Sequence, residues 1–408
     1  MKPGDRVSFF YAGTEMVGTY ITERNGSAVV KLDNGYNIGV GETALTSVEV
    51  VSAAAVSPVS IEEDRSLPEF SIISTGGTIA SRIDYRTGAV TSQFNADDIM
   101  RAIPGLSDIG RFRSHVLANI LSENMTPAMW CELVGKIYKE INNGVSGVIV
   151  THGTDTMSYS SAAVSFMLKT PVPVVFVGSQ RSADRPSSDN VMNGLCSAAA
   201  AGSDLGEVAV VMHGTTNDDY CAIHRGTRVR KMHTSRRDAF RSIGLPPIGR
   251  VDYPSLEVTL TPDAVKRGSC EAELNNTLEE RVGLLTFYPG MSPDMISAYS
   301  GYAGLVLSGT GLGHVSGGCV GELKSLIDDG TEIVMTSQCL NGRVCDRVYD
   351  TGRDLLNIGV IEGEDMLPEV ALVKLMWVLG QEKDPEMVKS LMQTELCGEM
   401  GRCTRHGL

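Results

Sequence analysis

Three short segments hold residue types that could carry out acyl transfer. The first is Ser74-Thr75-Gly76-Gly77-Thr78-Ile79-Ala80, directly after the apolar run Phe70–Ile73. Paired glycines let a backbone turn sharply and come close to a ligand. The second, Thr151-His152-Gly153-Thr154-Asp155-Thr156, follows Gly147–Val150 in the same way. The third is the basic stretch Arg228–Thr234, which contains Lys231. A threonine hydroxyl is a weak nucleophile until a neighbouring base takes its proton. Thr78, Thr154, Asp155 and Lys231 could together supply hydroxyls, an orienting carboxylate and a base, since desolvation makes a lysine easier to deprotonate. Each segment also has a plainer reading. Thr75 and Thr78 suit local hydrogen bonds in a glycine turn. Asp155 or Thr156 suits the N-cap of the helix that follows, and Lys231 suits a solvated surface charge.

Other chemistries fit less well. No G-x-S-x-G elbow and no H-E-x-x-H motif occurs, and the seven histidines lack metal-ligand spacing, so no metal site is expected. Gly309-Thr310-Gly311-Leu312-Gly313 follows a strand-like run, but its third glycine comes one residue early for a dinucleotide loop. There is no P-loop lysine, and hence no expectation of an ATP site in this chain.

The elements around these segments come in two textures. Arg6–Tyr11, Val17–Thr22, Ala28–Leu32 and Tyr36–Val40 are short β-rich runs, punctuated by Asn25-Gly26 and Asn34-Gly35. Asn-Gly favours hairpin turns because both residues tolerate positive φ. These runs predict a small SH3-like β-barrel over residues 1–51, followed by an extended linker over 52–69. From Phe70 onward, apolar runs the length of buried strands alternate with helical patterns. The runs are Phe70–Ile73, Gly147–Val150, Val172–Val177 and Glu207–Met212, and the helical stretches are Met157–Leu168 and Asp189–Ala201. Alternation of this kind predicts βαβ units in an open α/β sheet. A larger α/β domain over 70–265 and a smaller one over 275–408 are expected. The smaller one has strands near Arg281–Phe287, Ala303–Leu307 and Glu332–Thr336 and a helix over Glu369–Leu379. Ligands in such sheets bind at the carboxyl ends of the strands, where the first two segments fall.

Composition sets outer limits. The chain has 408 residues, 42% of them apolar and 21% charged, which suits a folded protein of two or three domains. A formal net charge of −14 makes it a poor unaided binder of a phosphate backbone. Nine cysteines, an odd number with no C-x-x-C pair, suit free thiols in a reducing cytosol. The opening Met1-Lys2-Pro3-Gly4-Asp5 lacks the apolar core of a signal peptide, and no apolar run approaches the ~18 residues of a membrane span. A cytoplasmic location is expected.

The motifs at 75–80 and 151–156, with the lysine of the third segment, resemble those of the L-asparaginase/glutaminase family. The resemblance covers about residues 70–408 and includes Val177-Gly178-Ser179-Gln180-Arg181. It implies an asparaginase-like two-domain α/β fold, with Thr78 as the acyl-accepting residue and Thr154, Asp155 and Lys231 as its catalytic partners. Leu121-Ser122-Glu123-Asn124-Met125 resembles the family loop that holds the amino acid's charged ends. Ser122 would contact the α-carboxylate, and Glu123 stands where many members have Gln. Tyr85 is the nearest counterpart of the family's catalytic tyrosine and does not align cleanly.

The front end, around Val30–Gly39, is similar to that of the archaeal-type D subunits of glutamyl-tRNA(Gln) amidotransferase. That resemblance implies a homodimer, joined by the E subunits of the same enzyme into a heterotetramer. Ammonia freed from Gln or Asn would pass to the E subunit, which holds the tRNA and activates its glutamate with ATP and Mg²⁺. This chain would need no cofactor of its own. Two alternatives stay open: a free-standing asparaginase or glutaminase with an accessory barrel, and a non-catalytic scaffold that keeps the fold.

Overall fold

The computed structural model describes residues 5–11, 13–24, 27–32, 37–41, 48–52, 66–76, 81–84, 89–92, 103, 105–181 and 187–403. Thr78 and Tyr85 lie outside these residues, as do both Asn-Gly steps and most of the expected linker.

The front module is a five-stranded antiparallel sheet. Arg6–Tyr11 pairs with Thr14–Arg24 on one side and Val48–Ser52 on the other. The meander continues through Ser27–Leu32 to Asn37–Gly41. Strict alternation chooses its inner face: Val7 and Phe9 point inward and pack with Tyr20, Ala28, Val30 and Val40, while Arg6 and Ser8 point out. Gly18 permits a close strand approach, since a Cβ there would lie 2.5 Å from the Lys31 carbonyl oxygen. The fifth strand, Val48–Ser52, was not among the expected runs. It sits at the border of the Ala/Ser/Val-rich stretch and merges with it in sequence.

The second sheet has eight strands, in the order Val258–Leu260, Gly249–Asp252, Tyr220–Arg225, Val208–His213, Val174–Val177, Gly147–Thr151, Glu69–Gly76 and Arg111–Ile120. From Val208–His213 to Arg111–Ile120 the strands run parallel. The remaining three are antiparallel. The expected strand–helix alternation therefore describes only part of the sheet. The basic stretch Arg228–Thr234 begins in the short strand Val229–Lys231, and the strand Tyr220–Arg225, which was not among the expected runs, comes just before it. Polar residues disguise Tyr220–Arg225, because they find partners in place. His224 Nδ1 lies 2.8 Å from Ser242 Oγ, and Arg225 pairs with Glu207 at 2.7 Å.

The smaller sheet has four parallel strands, Val282–Thr286, Gly304–Gly309, Glu332–Ser337 and Ile361–Glu362. The helix Pro368–Gln381 covers it and packs against the helix Met157–Met167 of the larger sheet. Both sheets thus share one apolar cluster, which runs from Trp130, Val150 and Phe166 through Val306 and Val334 to Leu375. Each such side chain, fully buried, contributes roughly 1.5–3 kcal/mol, so the two α/β units are locked together by a common core. No helix among the described residues is long and apolar enough to cross a membrane.

Candidate active site

Three parallel strands end side by side. Thr151 is paired with Ser74 on one flank and Val177 on the other, so the loops that follow all three strands emerge together. Thr75, at the first strand's end, is buried and donates its hydroxyl to the Thr151 carbonyl at 3.1 Å. It therefore acts as a staple between the strands. Gly76 has φ +109°, and a Cβ there would sit 2.4 Å from the Ile120 carbonyl oxygen, so glycine is required at this crossing. Thr78 follows two residues later.

Ile120 leads into the Ser122–Asn124 turn, which rests on the second motif. A Cβ on Gly153 would lie 2.6 Å from Ser122 Cβ, and Thr156 donates Oγ1–H to the Ser122 carbonyl at 2.7 Å. Ser122 is buried there and Glu123 is exposed beside it. On the opposite side, a Cβ on Gly178 would touch Thr154 Cγ2 at 2.8 Å. Thr154 is thus wedged between neighbouring turns.

Helix capping does not explain the second motif. Thr156 occupies the N-cap of helix Met157–Met167, yet no side chain caps it. The Thr156 hydroxyl serves Ser122, and Asp155 is left to face Lys231. Lys231 Nζ donates to Thr154 Oγ1 at 2.8 Å and to Asp155 Oδ1 at 2.8 Å. The lysine side chain is 13% exposed and that of Asp155 69%, so the contact sits at the rim of a crevice with the amine largely enclosed. Lys231 reaches this point from a ribbon formed by Val229–Lys231 and Phe240–Ser242, and not from a loose loop.

The histidine of the motif takes no charged part. His152 is fully buried, and burial pushes its pKa down to about 4. Its Nδ1 lies 2.7 Å from the Gly153 carbonyl. A carbonyl can only accept, so the proton is on Nδ1 and the ring is neutral near pH 7. Asp189 is a residue the sequence did not single out. Its carboxylate accepts from Ser179 Oγ, the Gln180 and Arg181 amides and Asn193 Nδ2, which ties down the third strand-end loop. Only its place just before the Asn190–Ala201 helix hinted at a special role.

Comparison with known proteins agrees with this architecture. Residues 69–264 match the family described as "Asparaginase, N-terminal", residues 281–392 the "Glutaminase/Asparaginase C-terminal domain", and residues 1–51 the "GatD N-terminal domain". The glutamyl-tRNA(Gln) amidotransferase D subunit of Methanosarcina mazei is 52% identical, covering 99% of each chain. That of Archaeoglobus fulgidus is 54% identical, covering 96% of this chain and 95% of its own. This chain belongs to the family of glutamyl-tRNA(Gln) amidotransferase D subunits. Among solved structures, the L-asparaginase of Thermococcus kodakarensis superposes with TM-score 0.72 at 31% identity, covering 82% of this chain and 99% of its own. L-asparaginase I of Vibrio cholerae gives 0.71 at 29%, with the same coverage.

Of the residues predicted for the site, the structure brings together Thr154, Asp155 and Lys231, with Ser122 one turn away and Glu123 exposed on that turn. Thr78 and Tyr85 remain outside the described residues.

Proposed function

We propose that this chain hydrolyses the side-chain amide of glutamine, or of asparagine, and hands the ammonia to a partner that amidates a tRNA-linked glutamate. The observation that carries the reading is the approach of Lys231 to both Thr154 and Asp155 at 2.8 Å. That is the reach a general base needs.

In this reading Thr78 Oγ1 attacks the carboxamide carbon, the C–N bond breaks, and the nitrogen leaves as ammonia after gaining a proton. Water then attacks the resulting ester and releases the free acid. Lys231 and Thr154 relay protons in both halves, and Asp155 orients the amine. Backbone N–H groups of the glycine turn stabilise the oxyanion, commonly a large contribution. Ser122 receives the α-carboxylate of the amino acid, with Glu123 beside it, and Tyr85 is a further candidate at the nucleophile.

The partner is the E subunit of the amidotransferase, which holds the tRNA and uses ATP and Mg²⁺, while two copies of this chain pair as a homodimer within the heterotetramer. A net charge of −14 favours leaving the phosphate backbone to the partner, and nine unpaired cysteines favour a reducing, cytoplasmic setting. Coverage argues against a free-standing asparaginase: the two asparaginase structures account for 82% of the chain, the two amidotransferase relatives for 96% and 99%.

The test is ammonia release from glutamine by the chain alone, and then with the partner and glutamyl-tRNA(Gln). A rise of tenfold or more on completing the complex is expected. Full activity in the isolated chain, unmoved by partner and tRNA, would return the reading to a free-standing amidase.

A further inference from the structure

In the ribbon that carries the candidate base, Lys231 lies opposite Phe240, and Arg230 lies opposite Arg241. Side chains alternate faces along a strand, so the two arginines share the face away from Lys231. Like charges directly opposed across strands drive them apart, and each arginine here meets a carboxylate, that of Arg241 being shared with Arg236. Arg241 Nη2 is 2.6 Å from Asp238 Oδ2, within the ribbon's own loop. Arg230 Nη1 is 3.2 Å from Glu369 Oε2, which belongs to the other domain. The Glu369 side chain is 5% exposed and stands in the first turn of helix Pro368–Gln381. The same helix packs against helix Met157–Met167, which begins immediately after Thr154-Asp155-Thr156. One helix of the smaller domain therefore backs both sides of the Lys231–Thr154 contact.

We infer that Glu369 is a positioning residue for amide hydrolysis: by neutralising Arg230 opposite Arg241 it fixes the ribbon, and with it the height of Lys231 Nζ against Thr154 and Asp155. The inference rests on the catalytic reading of Lys231 given above. Glu369 does not touch the reacting atoms, and it is not alone in holding the ribbon. At the base Arg228 pairs with Asp365 at 3.2 Å, and at the far end Arg237 pairs with Asp218. Loss of Glu369 should therefore shift the lysine without unfolding the ribbon. A misplacement of about 1 Å at a reacting group costs on the order of 10²-fold in rate, and the two remaining anchors limit the shift to less than that.

The experiment is steady-state ammonia release by the complete amidotransferase. Glu369→Gln is expected to lower kcat about tenfold with KM within twofold. Arg230→Lys keeps the charge and is expected to hold kcat within about threefold of the parent. In a Lys231→Met background, Glu369→Gln is expected to change the residual rate less than twofold, because there is no longer an amine to position. Should that residual rate be too small to resolve, Arg241→Gln, which removes the opposing charge, is expected to restore part of the kcat lost in Glu369→Gln. An unchanged kcat in Glu369→Gln overturns the inference. So does an equal loss with and without Lys231, or the absence of any rescue by Arg241→Gln. If Lys231→Met itself keeps the parent kcat, the catalytic reading fails first and takes this inference with it.

Discussion

Lys231 places one nitrogen within 2.8 Å of a hydroxyl and of a carboxylate that come from a different segment of the chain. The hydroxyl and carboxylate were legible in the sequence, because Gly153-Thr154-Asp155 follows an unmistakable buried strand. Lys231 was not legible from its own surroundings. It is one of six Lys and Arg residues between 225 and 237, and only the family resemblance picked it out. Asp346 was missed altogether. It is fully buried, both of its oxygens lack a partner among the described residues, and burial beside Glu362 raises its pKa to about 7. Below pH ~3.9 folded and unfolded chains both hold that proton, and the group costs nothing. As pH rises the unfolded chain ionises first, so stability is lost progressively up to pH 7 and stays lost above it. Allowing for some access of water, the loss is on the order of 2 kcal/mol. Asp346→Asn is expected to raise the free energy of unfolding, measured in urea at pH 8, by that amount and to change it little at pH 4.

At the scale of elements, glycines set the spacing of the site. Gly153→Ala would put a methyl group 2.6 Å from Ser122 Cβ, and the Ser122–Asn124 turn must retreat to make room. Displacement by about 1 Å of the turn proposed to receive the substrate is expected to lower kcat/KM on the order of 10²-fold, chiefly through KM, in steady-state kinetics with glutamine. The parallel strands were legible as uninterrupted apolar runs between turns. Tyr220–Arg225 was not, because His224 and Arg225 break its run and are satisfied only by partners distant in sequence, Ser242 and Glu207. The edge strand Arg111–Ile120 escaped for a related reason. It is partly exposed along most of its length, and Arg113 reaches across to Glu69 at 2.6 Å. Such strands carry no apolar signature of their own.

At the scale of the whole molecule, the shared core makes the two α/β units stand or fall together, and buried histidines make that stability depend on acid. His152 and His224 are buried and neutral, with pKa values held down to about 4 and about 3 by burial, helped at His224 by Arg241. Their unfolded counterparts bind protons near 6.5, so the stability they contribute is present above that pH and is lost as pH falls through 4. Asp346 changes in the opposite sense over the same window, but it is one group against two. These three groups together lose about 1.4 kcal/mol per pH unit between roughly 6 and 4.5, and urea unfolding at a series of pH values, with His152, His224 and Asp346 substituted in turn, measures their share. The order of domains was legible because each has its own texture, from hairpin turns to alternating strand and helix. Their common core was not, because a contact such as that between Phe166 and Trp377 joins segments more than two hundred residues apart. The central claim is that side chains from separate segments form one amide-hydrolysing site through Lys231. The direct measurement is ammonia release by Lys231→Met in the assembled complex, with folding checked by thermal unfolding. A fall in kcat of about 10²–10⁴-fold, at an unchanged unfolding temperature, is the predicted result; a kcat within threefold of the parent would contradict it.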